Sequence, residues 1–156
     1  MRPQILRLMK RINEYKKLFG VEKEIDLTTL KKTYRDLVKQ WHPDKFQDGD
    51  DLKVEAEVQS RIVIDGYHFL VSIAPETIEA NSEAYTETIN AGITDYHHKG
   101  LLLEITFVDG TTYEYFGVTP QVYQKMVNSD KLNRFAKRAI YPNYTFRKTK
   151  KSLEPA

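Results

Sequence analysis

The stretch LTTLKKTYRDLVKQWHPDK, residues 27–45, decides the reading of the first half of the chain. Leu27, Leu30, Tyr34, Leu37, Val38 and Trp41 recur at helical spacing and form one apolar stripe, with Asp26 placed to cap the helix. The bases Lys31, Lys32, Arg35 and Lys39 fall off that stripe, so they are expected on the solvent face. Pro43 lacks an amide hydrogen and cannot continue the helix. His42, Pro43 and Asp44, flanked by Trp41 and Lys45, therefore sit where the chain turns, and a turn is a surface position where neither ionisable group needs burial.

Working outward, Ile5, Leu8, Met9, Ile12, Tyr15 and Phe19 predict a first helix that stops at Gly20. Beyond the polar stretch Gln47 to Asp51, helical spacing resumes through Val58, Ile62, Leu70 and Ile73 and ends before Pro75. The two long arms differ in charge. Residues 27–47 carry five bases against two acids, net +3, whereas residues 48–65 carry six acids against two bases, net −4. The predicted architecture here is a helical hairpin with a tight polar connection.

Residues 76–88 are rich in Glu, Thr, Asn and Ser with little apolar periodicity, and are expected to be a linker. The period then changes from helical to two. Leu101, Leu103, Ile105 and Phe107 alternate with Leu102, Glu104, Thr106 and Val108, Asp109-Gly110 is a two-residue hairpin signal, and 111–118 is the return strand. Residues 89–96 are expected to add a third strand. Thr119-Pro120 opens a helix with Val122, Tyr123, Met126 and Val127 inward, and a second short helix from about Lys131 turns Leu132, Phe135, Ala136 and Ile140 inward. His97-His98 before Lys99-Gly100 reads as a turn signature without a matching ligand set.

The whole chain has 156 residues, no Cys and a net charge of +2, which rules out disulfides, thiolate zinc sites and a Cys nucleophile. No apolar run approaches a membrane span, and the first residues do not read as a signal peptide, so the expected location is cytoplasmic. No Ser/His/Asp order or phosphate-binding Gly-rich loop stands out, and neither an enzymatic role nor a cofactor or metal is expected. The charge is distributed in blocks. Residues 76–130 carry nine acids and two bases, and residues 131–151 carry eight bases and no acid, a basic segment that runs into an expected tail over 148–156.

His42-Pro43-Asp44 in this hairpin, with Tyr15, Leu18, Phe19, Gly20 and Val21 upstream and Gly66-Tyr67 downstream, resembles a J-domain of the DnaJ family over about residues 13–75. The resemblance implies a three-helix fold over 1–75 that engages a DnaK-type chaperone through His42, Pro43 and Asp44 and through Lys31, Lys32, Arg35, Lys39 and Lys45, biasing that partner toward ATP hydrolysis. Asp36 interrupts the basic run of the family, and Ser60 stands where an apolar residue is usual. Residues 89–147 resemble the KTSC domain, a module of some lysyl-tRNA synthetase C-termini and of bacterial single-domain proteins, through Tyr113-Glu114-Tyr115, Phe116-Gly117-Val118, Pro120, Tyr123, Phe135, Ile140 and Tyr144.

A two-residue turn at Asp109-Gly110 would pair Phe107 with Thr112 and Leu103 with Phe116, leaving Tyr113 and Tyr115 on the opposite face as a platform for bases or a peptide. The competing reading makes both tyrosines packing residues. Arg134, Lys137, Arg138, Arg147 and Lys148 complete the candidate RNA or ligand contacts. The fold class expected is therefore α+β, a three-helix J-domain followed by a small antiparallel sheet with two short helices. The function expected is a co-chaperone that recruits a DnaK-type chaperone to an RNA or client protein bound by the second module. The alternative is an RNA- or tRNA-associated adaptor with a merely structural hairpin.

Overall fold

The computed structural model describes residues 12–47, 49 and 51–149, so the first turns of the predicted first helix and the residues after 149 lie outside the described part. The described chain is mixed helix and antiparallel sheet, in two compact units that divide between Thr77 and Ile78. Among the described residues no helix is long and apolar enough to cross a membrane.

The first unit is helical. The described part of helix α1 covers residues 12–18 and ends at Gly20, whose φ of +67° is the left-handed conformation that closes a helix at little cost in glycine. Helix α2 (Leu27–Trp41) starts at Asp26, whose carboxylate accepts from the Thr28 amide at 3.3 Å and the Thr29 hydroxyl at 2.7 Å. These hydrogen bonds, that from Thr29 foremost, hold the Asp26 carboxyl below its ordinary range. A 3-10 turn (Pro43–Lys45) follows, and then the long helix α3 (Asp51–Ile73), which packs on α2.

The buried side of α3 differs from the predicted stripe. Ala56, Val63, Gly66, Phe69 and Leu70 are buried, whereas Val58 is 53% and Ile62 39% exposed. Gly66 marks the contact with α1, because aromatic rings press on it. A β-carbon at Gly66 would lie 2.9 Å from Tyr15 Cδ1 and 3.2 Å from Phe19 Cε2, so only glycine lets α1 approach this closely. Tyr34 of α2 stacks on Tyr67 of α3 with ring centroids 4.1 Å apart, and Tyr15 meets Phe69 at 5.4 Å.

The expected linker is instead helical. Helix α4 (Pro75–Ala80) spans the division, and α5 (Ser82–Ala91) belongs to the second unit. Its polar composition hides two anchors one turn apart, Tyr85 and Ile89, both packed on the core of the sheet, with Thr88 buried between them. The predicted third strand accordingly begins later, because α5 runs to Ala91 and Gly92 breaks it at φ +100°.

The sheet has four strands in the order β1-β2-β3-β4, all antiparallel: β1 (Ile93–Lys99), β2 (Leu102–Phe107), β3 (Thr112–Phe116) and β4 (Thr145–Lys148). His97 and His98 lie in β1, and the turn itself falls on Gly100-Leu101. Gly100 alone takes a left-handed φ, +64°, as the first position of a two-residue hairpin turn permits. Between β3 and β4 come α6 (Pro120–Val127), capped by the Thr119 hydroxyl accepting from the Val122 amide at 3.3 Å, and α7 (Leu132–Ala139). Met126, Ala136 and Ile140 are fully buried against one sheet face, as expected, whereas Val127 is 39% exposed. Strand β4 was not anticipated. It makes Lys148, where the solvated tail is expected to start, a sheet residue together with Arg147, and Thr149 after them is buried.

Candidate functional site

The β2-β3 hairpin settles which tyrosine face meets the core. Thr106 pairs with Thr112, Ile105 with Tyr113, Glu104 with Glu114, Leu103 with Tyr115 and Leu102 with Phe116, one residue away from the register of a two-residue turn. The loop is three residues long. The Phe107 amide donates to the Thr111 carbonyl at 2.8 Å, the Gly110 amide to the Phe107 carbonyl at 2.9 Å, and Gly110 has φ +87°. A turn closed by one left-handed glycine is the usual three-residue hairpin solution. Because side chains alternate with period two, the one-residue slip moves every side chain of β3 to the other face.

Tyr113 and Tyr115 therefore share the inner face with Leu103, Ile105 and Phe107. Tyr115 is 0% exposed and Tyr113 5%. Of the two readings of these tyrosines, the structure shows the packing one and not the exposed stacking platform: the rings are core. Tyr115 contacts Tyr141 and Phe146 at centroid distances of 5.7 and 5.8 Å, and its hydroxyl shares a 2.9 Å hydrogen bond with that of Tyr85. Burial pushes the Tyr85 phenol up to about 12 and the Tyr115 phenol further still, so both stay neutral donors and acceptors at ordinary pH. The anchors supplied by α5 and β4 escaped sequence reasoning. Tyr85 and Phe146 stack at 4.3 Å and close the cluster from one side, and the only forewarning was an aromatic residue in each of two otherwise polar segments.

Glu114, awkward if inward, lies on the other face. There Arg147 approaches it at 3.8 Å, the two side chains being 13% and 16% exposed. The Arg147 guanidinium is thus engaged within the sheet. Lys148 is exposed at the end of β4, near enough to Asp109 to help hold that carboxyl low. Arg134, Lys137 and Arg138 are exposed on the outward side of α7.

In the first unit the structure brings the predicted polar residues together around the 3-10 turn. His42 caps this turn: its Nδ1 accepts from the Asp44 amide at 3.2 Å, which fixes the ring over the turn and leaves Nε2 as the protonated nitrogen of the neutral tautomer. Asp44 Oδ2 lies 3.5 Å from the same Nδ1, and the two side chains are 49% and 89% exposed. The amides of Lys45 and Phe46 donate to the carbonyls of His42 and Pro43 at 3.1 and 3.0 Å, so the exposed tip has a defined backbone. Lys31, Arg35 and Lys39 follow one i, i+4 row of α2 with Lys32 beside it, and all four are exposed, as is Lys45. None of these five cations has a carboxylate partner within 4.0 Å among the described residues. An exposed tip with a defined backbone, beside a row of exposed cations, can dock a complementary surface.

No curated protein and no solved structure matches the chain. The one family finding concerns the second unit: residues 90–144 match the KTSC domain, from the last residues of α5 through α7, with Tyr85 and Phe146 supplied from just outside the matched segment.

Proposed function

We propose that this protein is a J-domain co-chaperone, which stimulates the ATPase of a DnaK-type chaperone and directs it through the KTSC module. The observation that carries the reading is the His42-Pro43-Asp44 turn: a backbone-fixed, solvent-exposed tip at the end of α2, with Lys31, Lys32, Arg35 and Lys39 exposed along the same helix. Gly66 under the rings of Tyr15 and Phe19, and Tyr67 against Tyr34, give the Gly-Tyr pair of the resemblance a packing reason. An adaptor that grips RNA on Tyr113 and Tyr115 finds no exposed platform, because both rings are buried.

The proposed partner surface is acidic. Association driven by such charge matching is fast, weak and salt-sensitive. The test is binding of the full chain to an ATP-loaded DnaK-type chaperone across a salt series. Reversing Lys31, Lys32 and Arg35 to Glu should slow association and flatten its salt dependence. An unchanged salt slope in the triple variant would reject this face as the docking surface.

A further inference from the structure

The strongest unassigned feature lies in the second unit, where the α6-α7 junction forms a cleft of about 340 Å³ lined by Ser129, Asp130, Lys131, Arg134, Phe135 and Arg138. Three of these six side chains are cationic and one is acidic, a local surplus of two positive charges. Packing of the helix core, not ion pairing, sets which way the cations face. Ala136 and Ile140 are fully buried and Leu132 packs on the same core, which fixes the rotation of α7 and turns Arg134 and Arg138, one helical turn apart, to the outside. The Arg138 guanidinium lies over the Phe135 ring, 5.6 Å from its centroid. That cation–π contact sets a positive charge and an aromatic ring together at the cleft wall. Among the described residues neither Lys131, Arg134 nor Arg138 has a carboxylate within 4.0 Å, and Asp130 does not neutralise them.

We propose that this cleft binds a nucleotide phosphate, with Lys131 and Arg134 meeting the phosphate oxygens and the Arg138-Phe135 cation–π pair meeting the planar base. Charge and the aromatic wall favour a nucleotide phosphate over a lone carboxylate. The surplus of two charges matches a phosphate monoester dianion, and a guanidinium can donate two N–H bonds to paired phosphate oxygens at once. The Phe135 ring beside that cation adds an aromatic surface to the cleft, which suits a planar nucleobase. The assignment uses none of the residues of the chaperone-docking tip and stands whether or not that docking occurs. The phosphate could belong to a free nucleotide or to the backbone of single-stranded RNA, and the two sources are separable.

The experiment is an amide NMR titration of the full chain with inorganic phosphate, adenosine 5′-monophosphate, an eight-residue oligoadenylate and, as the anionic control, oligoglutamate. Saturable shifts confined to residues 129–138 with the monophosphate identify a free-nucleotide site; the same shifts with oligoadenylate alone identify an RNA site. Either outcome supports the proposal. Affinity should fall by roughly tenfold or more in Arg134→Ala/Arg138→Ala, with the sheet amides unmoved, and Arg138→Lys should weaken it although the charge is kept. The assignment is overturned if oligoglutamate binds as well as oligoadenylate, if the double variant binds like the wild type, or if no probe shifts residues 129–138.

Discussion

Replacing Tyr115 with Ala tests the register of the sheet, because the two possible registers give the ring opposite fates. In the observed register the side chain is fully buried, touches Tyr141 and Phe146, and shares its hydroxyl with Tyr85. Truncating a buried aromatic ring costs about 3–5 kcal/mol through lost transfer energy and the cavity left behind. Losing the hydroxyl bond costs about 1 kcal/mol, and Tyr115→Phe isolates that part, since the ring stays. The expected order is therefore wild type, Phe variant about 1 kcal/mol below, and Ala variant several kcal/mol below, close to the whole stability of a small domain. Urea unfolding followed by the amide signals of Leu103, Ile105 and Phe107 reads the sheet unit directly. Amide exchange at the same positions should accelerate in the same order. An Ala variant within 1 kcal/mol of wild type, with those amides still protected, would refute the burial of Tyr115 and with it the three-residue loop.

Other consequences follow from single contacts. Burial tends to raise the Asp109 carboxyl, but hydrogen bonds from the Thr88 hydroxyl at 2.7 Å and the Thr111 amide at 2.9 Å, with Lys148 nearby, outweigh it and hold the group low. A carboxyl depressed in the folded state stabilises above its unfolded value, so the advantage of wild type over Asp109→Asn should be full at pH 7 and vanish as pH falls below about 4. Equal acid and neutral differences in urea melts would contradict this. Gly66→Ala should destabilise the helical unit by about 1–3 kcal/mol, since its β-carbon meets the Tyr15 ring at 2.9 Å; a thermal melt unchanged from wild type would show that α1 does not pack there. Gly110→Ala, at φ +87°, should cost about 1 kcal/mol through backbone strain alone, with the hairpin pairing retained in NMR spectra.

The boundary between legible and illegible features is physical. Asp26, Thr119 and Gly20 could be read because a cap or a helix stop depends on one local residue type. The location of the β2-β3 turn was equally plain, but its length was not. A two-residue type I′ turn needs left-handed conformations at both Asp109 and Gly110, and only Gly110 adopts one. That single conformational choice decided which face held the tyrosines. On α3 the reading favoured the large residues Val58 and Ile62, whereas the close approach of α1 selects Gly66 at the contact and Ala56 is buried on the same helix. Segments with one aromatic anchor each, Tyr85 in α5 and Phe146 in β4, lack periodicity and are recruited by tertiary packing alone. The candidate docking tip was visible because Pro43 and the helix stripe are local signals; the α6-α7 cleft arises from folding, although its arginines were already singled out.

The central claim concerns what the His42-Pro43-Asp44 tip does, and the direct measurement is the single-turnover ATPase rate of a DnaK-type chaperone with and without the full chain. The account predicts stimulation by wild type and its loss in His42→Gln and in Asp44→Asn, with circular dichroism unchanged because both side chains are exposed at 49% and 89%. No stimulation by wild type with the chaperone of its own source, or stimulation that survives both substitutions, would contradict it.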